Sequence, residues 1–366
     1  MRTVALDWGQ RISFCEVEGG KVTHRATAES LDALVGLLGP ETPPAKVAIE
    51  ACREVWHVAK RLREWGHVPI LVDTTRVRQL GIGQHKRKND RIDAETLARA
   101  LAENRLPKAH ELSEHRQRLR RAVNGRALLI EMRSKAIIAI RGEARTMGQA
   151  LGSCNADDFS ENLKEWQLSA EVKAQIEPLR LVLTTVESAL LAADEQLTKV
   201  SMEEPATSLL QSVPGVGPIV SASFVSVIDD PKRFETAHQV EAYIGLVPSE
   251  NTSGKRRLGS ITKQGNSYLR AVLVQAAWTI MRSRKSSTLK SWGKQVKARR
   301  GKSVAVVALA RRLAGVLWAM WRDNKPFAAR HLCPAYALEE RDGPAERTDT
   351  VGMTAPSILS QQGTIS

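Results

Sequence analysis

The stretch Thr3–Thr27, TVALDWGQRISFCEVEGGKVTHRAT, sets the fold class. Thr3 to Asp7 is a short apolar run ending in an acid, and Trp8-Gly9 separates it from a second strand-like run, Ile12 to Glu18. Gly19-Gly20 then supplies the two-residue turn of a hairpin into Val22 to Thr27. Working outward, a helical stretch from Ser30 to Leu38 and a proline-rich link lead to a strand, Lys46 to Glu50, which also ends in an acid. An amphipathic helix over Cys52 to Trp65 and a strand over Val68 to Val72 follow. Three antiparallel strands followed by alternating helices and strands predict an α/β sheet of mixed direction.

In such sheets the functional crevice lies at strand ends, which draws attention to Asp7 and Glu50. A third element joins them. In Lys86-Arg87-Lys88-Asn89-Asp90-Arg91-Ile92-Asp93-Ala94 a run of cations meets two aspartates three residues apart, and the alanine- and leucine-rich continuation to Asn104 reads as a helix. A helix beginning near Asn89 puts Asp90 and Asp93 on one face of its first turn. Two acids so placed are also an ordinary helix-capping pattern. They become ligands only if Asp7 and Glu50 join them, since four carboxylates that close raise one another's pKa values unless a cation neutralises them. Mg²⁺, or Mn²⁺, takes such oxygen ligands and completes its shell with substrate phosphate and water.

The 366 residues carry 54 Lys/Arg against 40 Asp/Glu, a net charge of +14, and are 42% hydrophobic. That length suits two or three domains with their own cores. The excess is local: residues 251–322 hold seventeen Lys/Arg and no Asp or Glu, leaving 37 against 40 elsewhere. Such a segment predicts a polyanionic partner. The four cysteines, Cys15, Cys52, Cys154 and Cys333, form no CxxC pair, so neither a zinc site nor a disulfide framework is expected, and a reducing cytosol fits. The amino terminus lacks the apolar core of a signal peptide, and Arg311 and Arg312 interrupt the most apolar late segment, Val304 to Trp321. Both point to a soluble intracellular protein.

From about Leu112 to Val200 the strand signals stop. Val123, Ile130 and Ile137 recur every seven residues, and Leu183, Val186, Leu190, Ala193 and Leu197 follow the spacing of a coiled-coil seam. These two helices, separated by the polar segment Gly152 to Glu165, pack either as a hairpin or between subunits. Val213-Pro214-Gly215-Val216-Gly217-Pro218 then makes a tight turn, with Pro218 suited to the first position of the next helix. The backbone at Gly215 and Gly217 can hold a phosphate, as in helix-hairpin-helix elements, or form a plain tight turn between helices.

A polar loop follows, Pro248-Ser249-Glu250-Asn251-Thr252-Ser253-Gly254-Lys255-Arg256-Arg257-Leu258-Gly259-Ser260, before Lys263-Gln264-Gly265-Asn266 caps a helix striped with Leu269, Val272, Leu273, Ala276 and Ile280. Lys255, Arg256, Arg257 and Lys263 are candidate phosphate contacts, as are Lys86, Arg87 and Lys88. A serine hydroxyl is a poor nucleophile without a base or metal, and no histidine lies near this loop. Arg282 to Lys302 reads as a basic loop with Trp292 as a stacking surface, Ser303 to Trp321 as a helix, and the Gly/Pro/Thr/Ser-rich end as a disordered tail.

Asp7, Glu50, the Lys88–Ala94 motif, the coiled-coil region, Pro214-Gly215-Val216-Gly217 and the Pro248–Asn266 segment together closely resemble the DEDD-type insertion-sequence transposases, the bridge-RNA-guided recombinases. The resemblance implies a RuvC/RNase H-like α/β domain over 1–110, a helical coiled-coil region over 111–205, a mainly α-helical transposase domain over 206–336 and a tail over 337–366. It further implies Asp7, Glu50, Asp90 and Asp93 as Mg²⁺ ligands and Ser253, five residues after Pro248, as the nucleophile that forms a covalent phosphoserine link to DNA. Ser249 and Ser260 are its local competitors. Serine and carboxylates would come from different subunits of a tetramer on double-stranded donor and target DNA, with a structured guide RNA choosing the sites. Competing readings are a metal-dependent nuclease acting on Holliday-type junctions with water, and a non-catalytic nucleic-acid-binding protein.

Overall fold

The computed structural model describes residues 2–50, 52, 54–77, 90–250 and 258–328. Two compact units divide the chain at Leu112/Ser113.

In the first unit β1 (Arg2–Trp8), β2 (Ile12–Glu18) and β3 (Lys21–Ala28) form an antiparallel meander. Gly19 and Gly20, with φ of +57° and +78°, make the turn between β2 and β3 as the sequence predicts. A 3₁₀ turn at Asp32–Leu34 and the short α1 (Val35–Leu38) lead to β4 (Ala45–Glu50), which pairs parallel with β1. After α2 (Val55–Glu64), β5 (Val68–Val72) pairs parallel with β4, giving the strand order 3-2-1-4-5. This mixed sheet is compatible with an RNase H-like fold. The helix predicted from Cys52 begins at Val55, whose N–H still reaches the Cys52 carbonyl at 3.4 Å.

Side chains alternate across the strands, so the sheet has two buried faces. Val4, Leu6, Phe14, Val47 and Ile49 pack against Val58, Ala59 and Leu62 of α2. Ala5, Cys15, Ala48 and Val72 pack against Ala94, Leu97, Ala98 and Leu101 of α4 (Asp90–Ala102), which lies over β1, β2 and β4. The small residues on this second face let α4 approach the strands closely. Glu95 ties the helix down by pairing with Arg25 of β3 and with Arg99, which also donates to the Gly20 carbonyl at 2.9 Å. These two guanidinium hydrogen bonds, Arg25 first, hold the Glu95 carboxyl below its ordinary range. A short α3 (Thr74–Val77) completes the described part of this unit.

The second unit opens with α5 (Glu114–Thr146), capped by Ser113, whose Oγ accepts from the Arg116 N–H at 3.3 Å. It packs antiparallel to α7 (Ala170–Met202) of the same chain, one of the two arrangements that the sequence allows. Ile137, Ile140 and Ala144 meet Val172, Ile176 and Leu183 at one end, and Leu119 and Val123 meet Leu197 at the other. Phe159 of α6 (Phe159–Glu165) closes the far end, edge-to-face with Trp166 at 5.6 Å.

The hairpin's base is continuous with the core formed by α8 (Pro205–Leu210), α9 (Pro218–Ile228), α10 (Ala237–Ile244), α11 (Ser267–Arg282), α12 (Thr288–Arg300) and α13 (Lys302–Asp323). α13 is long and apolar enough to cross a membrane by length and composition. Here it is the central core helix, with Leu309, Leu313, Leu317 and Met320 buried. Its Arg311 reaches the fully buried Glu241 of α10. The predicted basic loop over Arg282 to Lys302 is instead mostly helix. Ser287 caps α12 at the Lys290 N–H, and Leu289, Gly293 and Val296 recur on its buried side. The expected tail lies outside the described residues.

Candidate functional site

Parallel pairing of β1 with β4 matches Arg2 to Ala45 and continues to Leu6 opposite Ile49. One residue further along, each strand carries an acid, Asp7 one residue before the end of β1 and Glu50 at the end of β4. By alternation both share the face of Ala5 and Ala48, the face α4 covers. Asp7 is 7% exposed and Glu50 is half-buried. On α4, Asp93 immediately precedes the fully buried Ala94 and is itself half-buried, and Asp90 occupies the first helical residue, one turn before Ala94. The fold therefore carries three elements that bear acids to one end of the sheet: β1, β4 and the start of α4.

Neighbouring strands lie about 4.8 Å apart, which suits oxygen donors converging on one hard cation. Among the described residues no group of three or more His, Cys, Asp or Glu side chains is gathered tightly enough to hold a metal ion. Lys86, Arg87 and Lys88 lie outside the described residues. Cys15, on the same face as Asp7, is buried, and that burial pushes its thiol up; it offers no metal-binding thiolate.

In the second unit the polar loop is carried by a two-stranded hairpin that the sequence reading did not foresee. Its strands are β6 (Pro248–Glu250) and β7 (Leu258–Ile261), pairing Pro248 with Ile261 and Glu250 with Leu258. Ser253, Lys255, Arg256 and Arg257, between them, lie outside the described residues. Ser249 donates to the Ser260 carbonyl at 2.9 Å across the hairpin. A Cβ on Gly259 would sit 2.6 Å from the Ser249 hydroxyl, which would have to turn away and give up this hydrogen bond.

Below the hairpin the chain crosses itself at two glycines. Gly245 (φ +77°) ends α10, and a Cβ there would come within 2.2 Å of the Gln264 carbonyl oxygen. A Cβ on Gly265 (φ +69°) would likewise come within 2.2 Å of the Tyr243 carbonyl oxygen. Arg270 of α11 closes the crossing by donating to the Ile244 carbonyl at 3.0 Å and to that of Gln264, and burial lowers its pKa. Thr262 N–H donates to Val247 at 2.9 Å and Lys263 N–H, from a residue at φ +57°, to Gly245 at 3.1 Å. Asn266 caps α11 at the Leu269 N–H as the sequence predicts. The recurrence of glycine at both ends of the loop was the available signal for this crossing.

At the other predicted turn, Gly215 (φ +88°) lies against α11, where a Cβ would meet Ile280 at 2.7 Å. That glycine has a packing reason of its own. Gly217 is the extended cap of α9 with open space around it, and Pro218 takes the first helical position. Trp292, expected as a free stacking surface, has the Arg312 guanidinium 4.6 Å from its ring centroid and packs on the core.

Comparison with known proteins defines the class. Residues 4–145 match the model of the DEDD transposases of IS110 type, and residues 207–292 match the model described as Transposase IS116/IS110/IS902 family. The first match spans the whole sheet with α4 and most of α5, and the second spans the turn, the glycine crossing and α11. A relative from Sinorhizobium fredii described as "Putative transposase y4pF/y4sB" is 30% identical over 295 residues, covering 78% of this chain and 75% of the relative. The transposase for insertion sequence element IS1111A of Coxiella burnetii is 29% identical over 284 residues, covering 75% and 77%. That for IS1328 of Yersinia enterocolitica is 24% identical over 291, covering 78% and 86%. The chain belongs to the IS116/IS110/IS902 family of insertion-sequence transposases.

Proposed function

We propose that this transposase cuts and rejoins DNA by phosphoryl transfer, using a divalent-cation site at Asp7, Glu50, Asp90 and Asp93 and the hydroxyl of Ser253 as nucleophile. What supports the first half is the convergence of β1, β4 and α4 at one end of the sheet. The donors there are all carboxylates, a set that fits Mg²⁺ or Mn²⁺ and does not fit softer metals. A cation bound there would stabilise the charge that develops on the phosphate under attack.

The second half rests on the loop 251–257 and its mounting. Of the three serines, Ser249 already spends its proton on the Ser260 carbonyl, while Ser260 itself sits within β7. Ser253 belongs to the segment 251–257 that joins β6 to β7, and the flanks of that hairpin are fixed by Arg270 and the two glycines, a rigid mounting for a nucleophile. As the Ser253 Oγ–P bond forms, the bond from phosphorus to one deoxyribose oxygen breaks, and that alcohol takes up a proton. The phosphoserine ester conserves the bond for rejoining to another strand. The hairpin carries no histidine, so activation of Ser253 is assigned to the carboxylate site of the same or another subunit of a tetramer.

In this reading the partners are donor and target duplexes with a structured guide RNA, handled beside the chromosome in a prokaryotic cytoplasm. A cell-based excision assay tests it. Asp7→Asn and Asp90→Asn are each expected to abolish excision, and excision at the wild-type level in either variant would remove that carboxylate from the catalytic site.

A further inference from the structure

We propose that the outer face of α12, together with the cations gathered on Trp278, is a seat for the phosphate backbone of duplex DNA; this rests on the reading of the chain as a DNA transposase. The orientation of α12 is fixed by packing. A Cβ on Gly293 would come 2.6 Å from Met281 Sδ and 3.3 Å from Leu309 Cδ2, so the helix sits tight against both α11 and α13. With Leu289, Gly293 and Val296 inside, Lys294, Lys297, Arg299 and Arg300 face out. Lys294 and Lys297, three residues apart, are neighbours along that face.

Beside it, Arg282 at the end of α11 and Lys302 at the start of α13 lie over one ring, 5.0 and 4.9 Å from the Trp278 centroid. Attraction to an aromatic face holds each cation, but two like charges on one ring repel. Lys302 also begins a helix whose first turn holds no acid, where the helix dipole opposes a cation. Arg282, in the last turn of α11, is favoured by that helix's dipole, whereas Lys302 is opposed by its own, and a polyanion relieves both that opposition and the repulsion between the two cations.

Charged faces are commonly just solvated, and their usual mark is mixed charge with ion pairs. That mark is present on α5 and α7, where Arg126 pairs with Asp194, Lys135 with Glu131 and Arg180 with Glu177. Among the described residues Arg282, Lys294, Lys297, Arg299, Arg300 and Lys302 make no such pair, and residues 251–322 contain no acid at all. Cations left unneutralised on a rigid face are the footprint of backbone recognition without sequence reading.

Measurement of the full chain's affinity for a duplex DNA over a range of KCl concentrations tests the assignment. In B-DNA the slope of log affinity against log salt changes by about 0.9 for each phosphate contact. The combined variant Lys294→Gln, Lys297→Gln, Arg299→Gln, Arg300→Gln should flatten the slope by about 3.6, and Arg282→Gln with Lys302→Gln by about 1.8. A control with the same loss of four charges on exposed α5–α7 positions, Lys135→Gln, Lys164→Gln, Lys173→Gln and Lys199→Gln, should keep the wild-type slope. Equal thermal midpoints show that the variants fold. An unchanged slope in both α12-region variants overturns the proposal, as does a control that flattens equally. A change seen with duplex RNA and not with DNA overturns the DNA assignment. Wild-type excision in cells reports separately on the transposase reading: excision with unchanged slopes sinks the surface alone, and a flattened slope without excision sinks that reading alone.

Discussion

Asp7 lies level with Glu50 across two parallel strands, one residue past the paired Leu6 and Ile49 and on the face that α4 covers. Two carboxylates on adjacent strands repel, and a divalent cation between them relieves that repulsion. Asp7→Asn removes one of the charges while keeping a side chain of the same shape. With Mg²⁺ at a hundred times its dissociation constant, wild type should gain about 2.7 kcal/mol and the variant far less. Thermal unfolding with and without Mg²⁺ measures both; equal Mg²⁺ gains in the two proteins would remove Asp7 from the ligand set.

Glu95 anchors α4 through Arg25 and Arg99, and its carboxyl pKa is held below its unfolded value. A depressed carboxyl contributes stability above its unfolded pKa, and that contribution is lost as the pH falls through the folded pKa. Glu95→Gln should therefore lower the urea midpoint at neutral pH, and the gap to wild type should close on acidification. A gap that widens with acid would show that the ion pairs do not anchor the helix.

Gly265 and Gly301 both adopt positive φ, at +69° and +82°, yet only Gly265 meets other backbone. Gly301→Ala should cost about 1–3 kcal/mol, because its backbone, at ψ 171°, lies in a region open essentially only to glycine. Gly265→Ala, whose Cβ would sit 2.2 Å from the Tyr243 carbonyl, should cost more than that and abolish recombination. Denaturant midpoints with the excision assay separate the two; equal stability losses would mean the crossing yields at little cost.

Ile140 and Leu183 are fully buried between α5 and α7, whereas Ile138 and Leu191 are each 68% exposed on the outer sides of these helices. Ile140→Ala and Leu183→Ala should each cost about 2–5 kcal/mol in the isolated chain. Ile138→Ala and Leu191→Ala should stay within about 0.5 kcal/mol. Large losses at the outer pair would indicate that these faces are covered in the assembled protein.

The sheet and the two long helices were readable because their signals are local. Alternation ending in Asp7 and Glu50, the Gly19-Gly20 turn and the seven-residue spacing from Val123 each depend on a few neighbouring residues. The α12 helix was not readable as one. Its apolar residues, Leu289, Trp292 and Val296, are diluted by lysine and arginine, and its stability comes from packing on α11 and α13. The β6–β7 hairpin was hidden for a related reason, since its two short strands hold a long polar connection and are fixed by Gly245, Gly265 and Arg270, residues distant from its tip. Asp7 and Glu50 could be nominated as strand-end acids, but their adjacency required the parallel register of β1 with β4.

The central claim, that a serine of the segment joining β6 and β7 becomes covalently joined to DNA, is tested most directly by trapping the protein–DNA adduct. Wild type, Ser249→Ala, Ser253→Ala and Ser260→Ala would be incubated with donor and target DNA, RNA from the element and Mg²⁺, then denatured and resolved by size. Adduct is predicted in wild type, Ser249→Ala and Ser260→Ala, and none in Ser253→Ala. An adduct that persists in Ser253→Ala, or cleavage by wild type with no adduct at all, would contradict the account.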